Sequence, residues 1–296
     1  MSTLILTLKG GLGNQMFGYA AARRLAFRNG AELVLDTESG FIHDKTYRRK
    51  FSLSPFNLAG RYATRAEKLQ PFEPLRRSYL RAREAKKPFE DRLYIKQDFG
   101  DFDPRLLTLK IQKKLWLEGV WAGEGYFSDI ADLIRQDFLI TPPADKSNLD
   151  MMDSIGRANS VALHLRFFST GDDKDNRNAS LEYYHRAIAH CMEHEPNLHF
   201  FVFSDQPERA SSLLPLNGHR VTYVMHNSDE AMAYADLWLM SACRHIIVAN
   251  STFSWWGAWL AERYDKSQLI IVPDPDLLQH GHWSLTGLLP ERWTKL

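Results

Sequence analysis

The sequence predicts an α/β protein built from two doubly wound domains that face one another across a cleft. Three observations carry that prediction. Apolar runs of strand length alternate with helix-spaced segments over most of the 296 residues. The chain opens with a strand, a glycine turn and a helix, the start of a parallel βαβ unit. Near the middle, residues 140–160 hold Pro142-Pro143, Asp145, Lys146, Ser147 and Asn148 and read as a linker. The expected domains are therefore 1–145 and 146–296, with a last helix packing back on the N-terminal one.

Residues 3–8 (TLILTL) run apolar into Gly10-Gly11, as a strand buried on both faces does. Residues 14–29 place Met16, Tyr19, Ala20, Arg23 and Phe27 on one helical stripe, and Gly30 supplies a C-cap. Residues 31–36 (AELVLD) form the second strand. Residues 41–115 hold 19 Lys/Arg against 9 Asp/Glu, a local excess of +10. Two readings of that segment stand: solvated helices, or a basic surface meeting an anionic acceptor or membrane headgroups. Residues 115–138 begin as a strand and end as an amphipathic helix. Beyond the linker, strands are expected at 160–166, 198–204, 220–225, 244–249 and 268–272. Helices are expected at 180–194 (capped by Ser180, with Glu182 in its first turn), 206–214, 228–242 (capped by Ser228) and 252–263.

The composition excludes several classes. Lys plus Arg number 37 and Asp plus Glu 36, without the basic excess of a nucleic-acid binder. With 44% apolar and 25% charged residues, the chain can bury a core and does not read as disordered. No apolar run reaches membrane-spanning length, and the start lacks the pattern of a secretory signal. Two cysteines, Cys191 and Cys243, make no disulfide framework and read as reduced core thiols of a cytoplasmic protein.

Four motifs lie where strands meet helices. Gly10-Gly11-Leu12-Gly13-Asn14-Gln15-Met16 lets backbone approach a ligand and aims a helix N-terminus at an anion. Its Gly11 and Gly13 half-match a dinucleotide fingerprint, with Asp36 near the place of a ribose-binding acid. Adjacent amides at Asn14 and Gln15 demand partners. His164-Leu165-Arg166 ends a buried strand, where the guanidinium fork suits phosphate oxygens. An inter-strand ion pair for Arg166 is the alternative. Phe203-Ser204-Asp205 ends another strand, placing a carboxylate for a base or ribose, or a cap for the next helix. Asn250-Ser251-Thr252-Phe253 opens a helix with hydroxyls and N–H groups fit for phosphate. Trp255 and Trp256 behind it read as packing. No His/Cys/Asp/Glu pair reads as metal-ligand spacing. Asp172, Asp173 and Asp175 form a loop cluster read as solvated, with a metal or general-base site as the alternative.

Together these motifs resemble the family 11 glycosyltransferases, the α-1,2-fucosyltransferases. The carriers are Gly10–Phe17, His164–Arg166, Phe203–Asp205 and Ser251–Leu260, in that order, with further likeness at Gly119–Phe127, Tyr183-Tyr184 and Pro290…Trp293. The resemblance implies two facing Rossmann-like domains of GT-B type. It implies a GDP-β-L-fucose donor, an inverted α-fucoside product, and neither metal nor cofactor. It implies donor binding mostly by the C-terminal domain, with Arg166 on the β-phosphate and Ser251, Thr252 and the Phe253 N–H completing the phosphate site. Asp205 would touch guanosine. Gly13 and Asn14 would reach the phosphate–fucose junction. Gly11, His164, Ser204 and Asn250 join the donor set, and Arg166 and Asn14 are the expected catalytic groups. The implied acceptor is a galactoside, in a lipid-linked surface glycan, with the enzyme cytoplasmic or peripheral at the inner membrane face.

The chain departs from the family pattern at Phe167 and Ser169, which replace an Arg and an Asp, at Gly18, and across Gly119–Glu124. The last two bear on the expected acceptor side. No carboxylate is marked as the general base, so a loop acid or the departing phosphate takes the proton. Two other classes stay open: a nicotinamide oxidoreductase using the glycine turn and Asp36, and a nucleotide-sugar-binding module without catalysis.

Overall fold

The computed structural model describes residues 2–42, 44–97, 102–167, 179–214, 216, 218–263, 267–274 and 287–296. The chain divides into two compact units, Met1–Ile140 with Leu285–Leu289 and Thr141–Ser284 with Pro290–Leu296.

The first unit runs β1 (Thr3–Thr7), α1 (Leu12–Asn29), β2 (Glu32–Asp36), β3 (Arg61–Tyr62), α2 (Glu73–Glu84), β4 (Tyr94–Lys96), α3 (Arg105–Thr108), β5 (Lys114–Glu118) and α4 (Ala131–Asp137). Its sheet is parallel in the order β3-β2-β1-β5-β4. Leu4, Ile5, Leu6, Val34 and Leu117 are fully or almost fully buried, as strands of a covered parallel sheet should be. Helix α1 starts two residues before its expected start because Gly11, in extended conformation, is the N-cap. Gly30 closes it at φ 56°.

The basic segment is not a set of helices. Its described residues hold α2 and α3, a 3-10 turn, β3, β4, the start of β5 and irregular chain, and many of its cations are spent on carboxylates. Arg61 bridges Glu32 and Glu67, Lys68 meets Glu38, and Arg83 and Lys87 hold the buried Glu84. Helix α2 is inverted: its charged side faces the sheet. Parallel register sets Thr7 beside both Asp36 and Glu118, so two carboxylates and a hydroxyl end three neighbouring strands. Buried Arg77 answers them, bonding Thr7 Oγ1 at 2.8 Å, Tyr94 OH and Asp36 at 3.1 Å, and Glu73. Arg81 and Tyr94 OH both donate to Glu118. Burial opposes the charge on Arg77, but Tyr94, Glu73 and Asp36 outweigh it and raise its pKa.

The second unit runs α5 (Lys146–Gly156), β6 (Asn159–Leu165), α6 (Leu181–His194), β7 (Leu198–Ser204), α7 (Pro207–Leu213), β8 (Arg220–Tyr223), α8 (Ala233–Ala242), β9 (His245–Ile247), α9 (Thr252–Ala261), β10 (Ile270–Val272) and β11 (Thr294–Lys295). The parallel order is β11-β10-β9-β6-β7-β8. The chain leaves β6 toward β7 and β8, then returns to β9 on its other side. That is the Rossmann order, with a topological switch between β6 and β9.

Two expectations are corrected here. The linker is largely helix: Asp145 accepts from Asn148 N at 2.9 Å and caps α5, and Ile155 anchors it in the core. Ser228 caps nothing, because a 3-10 turn at Glu230–Met232 precedes α8 and the α-helix begins only at Ala233. The described residues 287–296 hold a short strand, β11, and residues 275–286, ahead of it, lie outside the described residues.

One face of the sheet packs Val161, Leu163 and Leu165 against Tyr183, Tyr184, Ala187, Ile188 and Cys191 of α6. On α9, Trp255, Trp256 and Trp259 are fully buried and stack with one another and with Trp293, ring centroids 5.0–6.4 Å apart. They are core, as expected. Cys191 and Cys243 are buried free thiols, and burial pushes both up to about 12. Among the described residues, no helix is long and apolar enough to cross a membrane.

Candidate active site

Ligands of open α/β sheets bind outside the carboxyl ends of strands at the switch point. In the second unit that place is formed by the ends of β6 and β9. His164 and Arg166 come from the first, and Asn250, Ser251 and Thr252 from the second. The β6–β7 register pairs His164 with Phe203 and Leu165 with Ser204, so Arg166 and Asp205 leave the sheet side by side. Arg166 Nη1 lies 3.1 Å from Asp205 Oδ2, and the Phe167 N–H donates to Asp205 Oδ1 at 3.1 Å. Both side chains are 26% exposed. The carboxylate thus fixes the guanidinium at the rim. This is also the ion pair that the sequence held as an alternative for Arg166.

His164 points into the fold, its ring 5.4 Å from that of Phe253. Its backbone carbonyl accepts from Tyr184 OH at 3.1 Å, and its buried Nδ1 has no partner among the described residues. Burial first, and then the neighbouring Arg166 charge, pull its pKa down to about 3. The imidazole is therefore neutral at physiological pH, and the cation at this strand end is Arg166. Tyr183 OH, 2.7 Å from Val248 O and 3.1 Å from Ile271 O, ties the β9 exit to β10 from below.

Ser251 is the N-cap of α9, and its Oγ receives the Phe253 N–H at 3.3 Å. That N–H, expected to reach phosphate, is turned to the cap, and the Phe253 ring packs on His164 instead. Ser254 Oγ accepts from Ala249 N at 3.1 Å and braces the turn around buried Asn250. Ser204 also has a local partner: its Oγ accepts from Gln206 N at 3.1 Å.

In the first unit the corresponding switch lies between β1 and β5. Gly10 takes φ 74°, and a Cβ there would come 2.8 Å from Asn14 Nδ2. Gly11 packs against Arg49, whose Cζ lies 3.8 Å from where its Cβ would stand. Gly13 is buried in the first turn of α1, beside the half-buried Asn14. Gln15 is spoken for. Its Nε2 donates to Gly10 O and Lys50 O, each at 2.8 Å, and its Oε1 accepts from Ser52 N at 2.9 Å. This amide clamps the 50–52 loop, and with it Arg49, onto the glycine turn. Gln15→Ala is expected to cost about 1–3 kcal/mol, because it takes three hydrogen bonds of a fully buried amide from part-buried backbone groups. A urea titration that finds the variant as stable as the parent would remove the clamp from this account.

Asp36 is not placed for a ribose. It is fully buried, bonds Arg77, and accepts from Glu38 N and Ser39 N. Gly18, one of the departures on the expected acceptor side, is buried packing: a Cβ would meet Gly119 O at 3.3 Å. The Gly119–Glu124 departure is a folded-in turn in which Trp121 is buried at φ 54° and its N–H donates to Gln97 Oε1 at 2.7 Å. Asp172, Asp173, Asp175 and Ser169 lie outside the described residues.

Two features escaped the sequence reading. Arg209 of α7 holds its guanidinium 4.4 Å from the Phe167 ring centroid, next to Arg166. A second cation thus approaches the residue that replaced the family's second arginine; only an observed contact, not spacing, reveals it. His190, Glu193 and His194 each offer one ligand atom, all within 4.8 Å of one another, on the outer side of α6. The expectation that no metal-ligand spacing exists overlooked this i, i+3, i+4 set.

The model of glycosyl transferase family 11 matches residues 2–277. The chain belongs to glycosyl transferase family 11. With Asp36 consumed by Arg77, membership closes the nicotinamide reading. The Escherichia coli relatives include an alpha-1,2-colitosyltransferase, 29% identical over all of this chain and 99% of its own. Another is the O-antigen biosynthesis glycosyltransferase WbnK, 31% identical over 90% of this chain and 92% of its own. In fold, this glycosyltransferase is similar to the α-1,6-fucosyltransferase NodZ soaked with GDP-fucose, at a TM-score of 0.53 and 15% identity over 95% and 98% of the two chains. It is similar also to POFUT1 in complex with GDP-fucose, at 0.54 and 12% over 91% and 97%.

Proposed function

We propose that this family 11 glycosyltransferase moves L-fucose from GDP-β-L-fucose to the 2-hydroxyl of a galactoside, with inversion, during assembly of an O-antigen-type surface polysaccharide. The observation that carries the reading is Arg166, held by Asp205 at the end of β6, at the switch point that also bears the α9 N-terminus.

Fucosyl transfer passes through an oxocarbenium-like transition state while negative charge gathers on the departing phosphate. A fixed guanidinium where that charge appears lowers the barrier without reorganising. Arg166 takes this role on the β-phosphate, with Ser251, Thr252 and the first turn of α9 beside it. Neutral His164 and Phe253 wall the pocket floor, Asn250 and Ser204 shape its edges, and Asp205 both orients Arg166 and meets the guanosine. Gly11, Gly13 and Asn14 serve the same transfer, Asn14 as an amide donor. All charge compensation in this scheme comes from protein groups, with no metal or further cofactor.

A donor-by-acceptor screen tests the proposal. GDP-fucose and GDP-colitose are each offered with an array of β-galactosides, and the product linkage is read by NMR. The expected product is an α-1,2-fucoside. Transfer from GDP-colitose alone would move the donor to that sugar, as one relative's name suggests. GDP binding with neither transfer nor hydrolysis would mean a binding module.

A further inference from the structure

Helix α2 carries its polarity the wrong way round for a core helix. At about 100° per residue, Glu73, Arg77, Arg81 and Glu84 share one side, and the first, second and fourth are buried. The opposite arc, about 120° wide, holds Phe72, Leu75, Arg76, Tyr79, Ala82 and Arg83. Phe72 is 71% exposed, Leu75 72% and Tyr79 64%. Both carboxylates of α2 point inward, and although Arg83 reaches back to one of them, Glu84, the outer face sets large apolar groups beside Arg76 with no acid of its own. Lys86 is exposed just past the helix end.

We propose that this face of α2 is a docking surface for an anionic lipid bilayer. A seam for another protein helix would be apolar along its centre with mixed charge at its edges. An interfacial helix instead sets aromatic and aliphatic groups at headgroup depth, with cations among lipid phosphates. The complementarity lies in the outer side of the helix and its end, where Arg76 and Lys86 are exposed beside Phe72, Leu75 and Tyr79. The inward carboxylates suit the same end. Through Arg77 on Asp36, Arg81 on Glu118 and the Leu93 N–H on Glu84, the inward charges hold α2 on its sheet without spending apolar side chains there. The inference goes beyond the transfer reaction and does not rest on its donor or acceptor.

The test is sedimentation of the full chain with vesicles of two parts phosphatidylcholine to one part phosphatidylglycerol, beside vesicles of phosphatidylcholine alone. The parent is expected to pellet with the anionic vesicles and to be released by salt. Leu75→Glu with Tyr79→Glu should abolish pelleting. Arg76→Glu with Lys86→Glu should weaken it by at least about 25-fold, since each cation near the surface contributes a factor of about 5. Circular dichroism and thermal melting confirm that the variants fold. Failure of the parent to pellet with the anionic vesicles overturns the proposal. So does parent-like pelleting by both double variants. A dimer seen by light scattering without lipid, and lost in the same variants, assigns the face to a second copy and also overturns it.

Discussion

Arg166→Ala is expected to lower sugar transfer by roughly a hundred- to a thousandfold, the usual effect of removing one preorganised donor from a developing anion. The melting temperature should barely move, because the side chain is part-exposed and its partner Asp205 can turn to solvent. The kinetic signature matters as much as the size. A group used mainly in the transition state lowers kcat with little change in KM for the donor. Arg166→Lys should recover only part of the rate, since an ammonium cannot reproduce the planar fork. Asp205→Asn should loosen the guanidinium and fall between the two. A transfer rate within threefold of the parent for Arg166→Ala would remove the residue from the mechanism.

The largest expected loss of stability lies in the first unit, at Arg77. Its removal leaves fully buried Asp36 and almost buried Glu73 without their cation. Breaking a buried ion pair from one side costs about 3–5 kcal/mol. For a protein of this size that is a fall in Tm of about 6–20 °C. Differential scanning calorimetry of Arg77→Met measures it. Adding Asp36→Asn and Glu73→Gln to Arg77→Met should return part of the loss, because the penalty comes from uncompensated charge and not from missing packing. A single variant that melts with the parent would show the network to be solvated in solution.

The fold was open to sequence reading wherever strands are buried on both faces. Runs such as TLILTL and LHFFVFS have no other reading once a glycine or helix cap follows them. Helix α5 was missed because Pro142-Pro143 and a polar cluster look like a linker, while the capping bond from Asn148 N to Asp145 is visible only in three dimensions. The basic segment misled for a related reason. A count of charges cannot say which are neutralised, and the carboxylates that pair with Arg61 and Arg81 include Glu32 and Glu118, far off in sequence. At the site, residue types and their strand-end placement were legible. Who bonds whom was not: the adjacent amides Asn14 and Gln15 look alike in sequence, yet Gln15 is consumed by the 50–52 loop. Asp36 likewise matched a ribose-binding acid by spacing, and its burial beside Arg77 removes it.

The tryptophans are unevenly shared, with Trp116 and Trp121 in the first unit and the other six in the second. Four of those six are stacked around α9 within Förster range of one another. Ultraviolet emission will therefore be dominated by the second unit and will redden when α9 loosens, giving each unit's melting a distinguishable optical trace without any added dye.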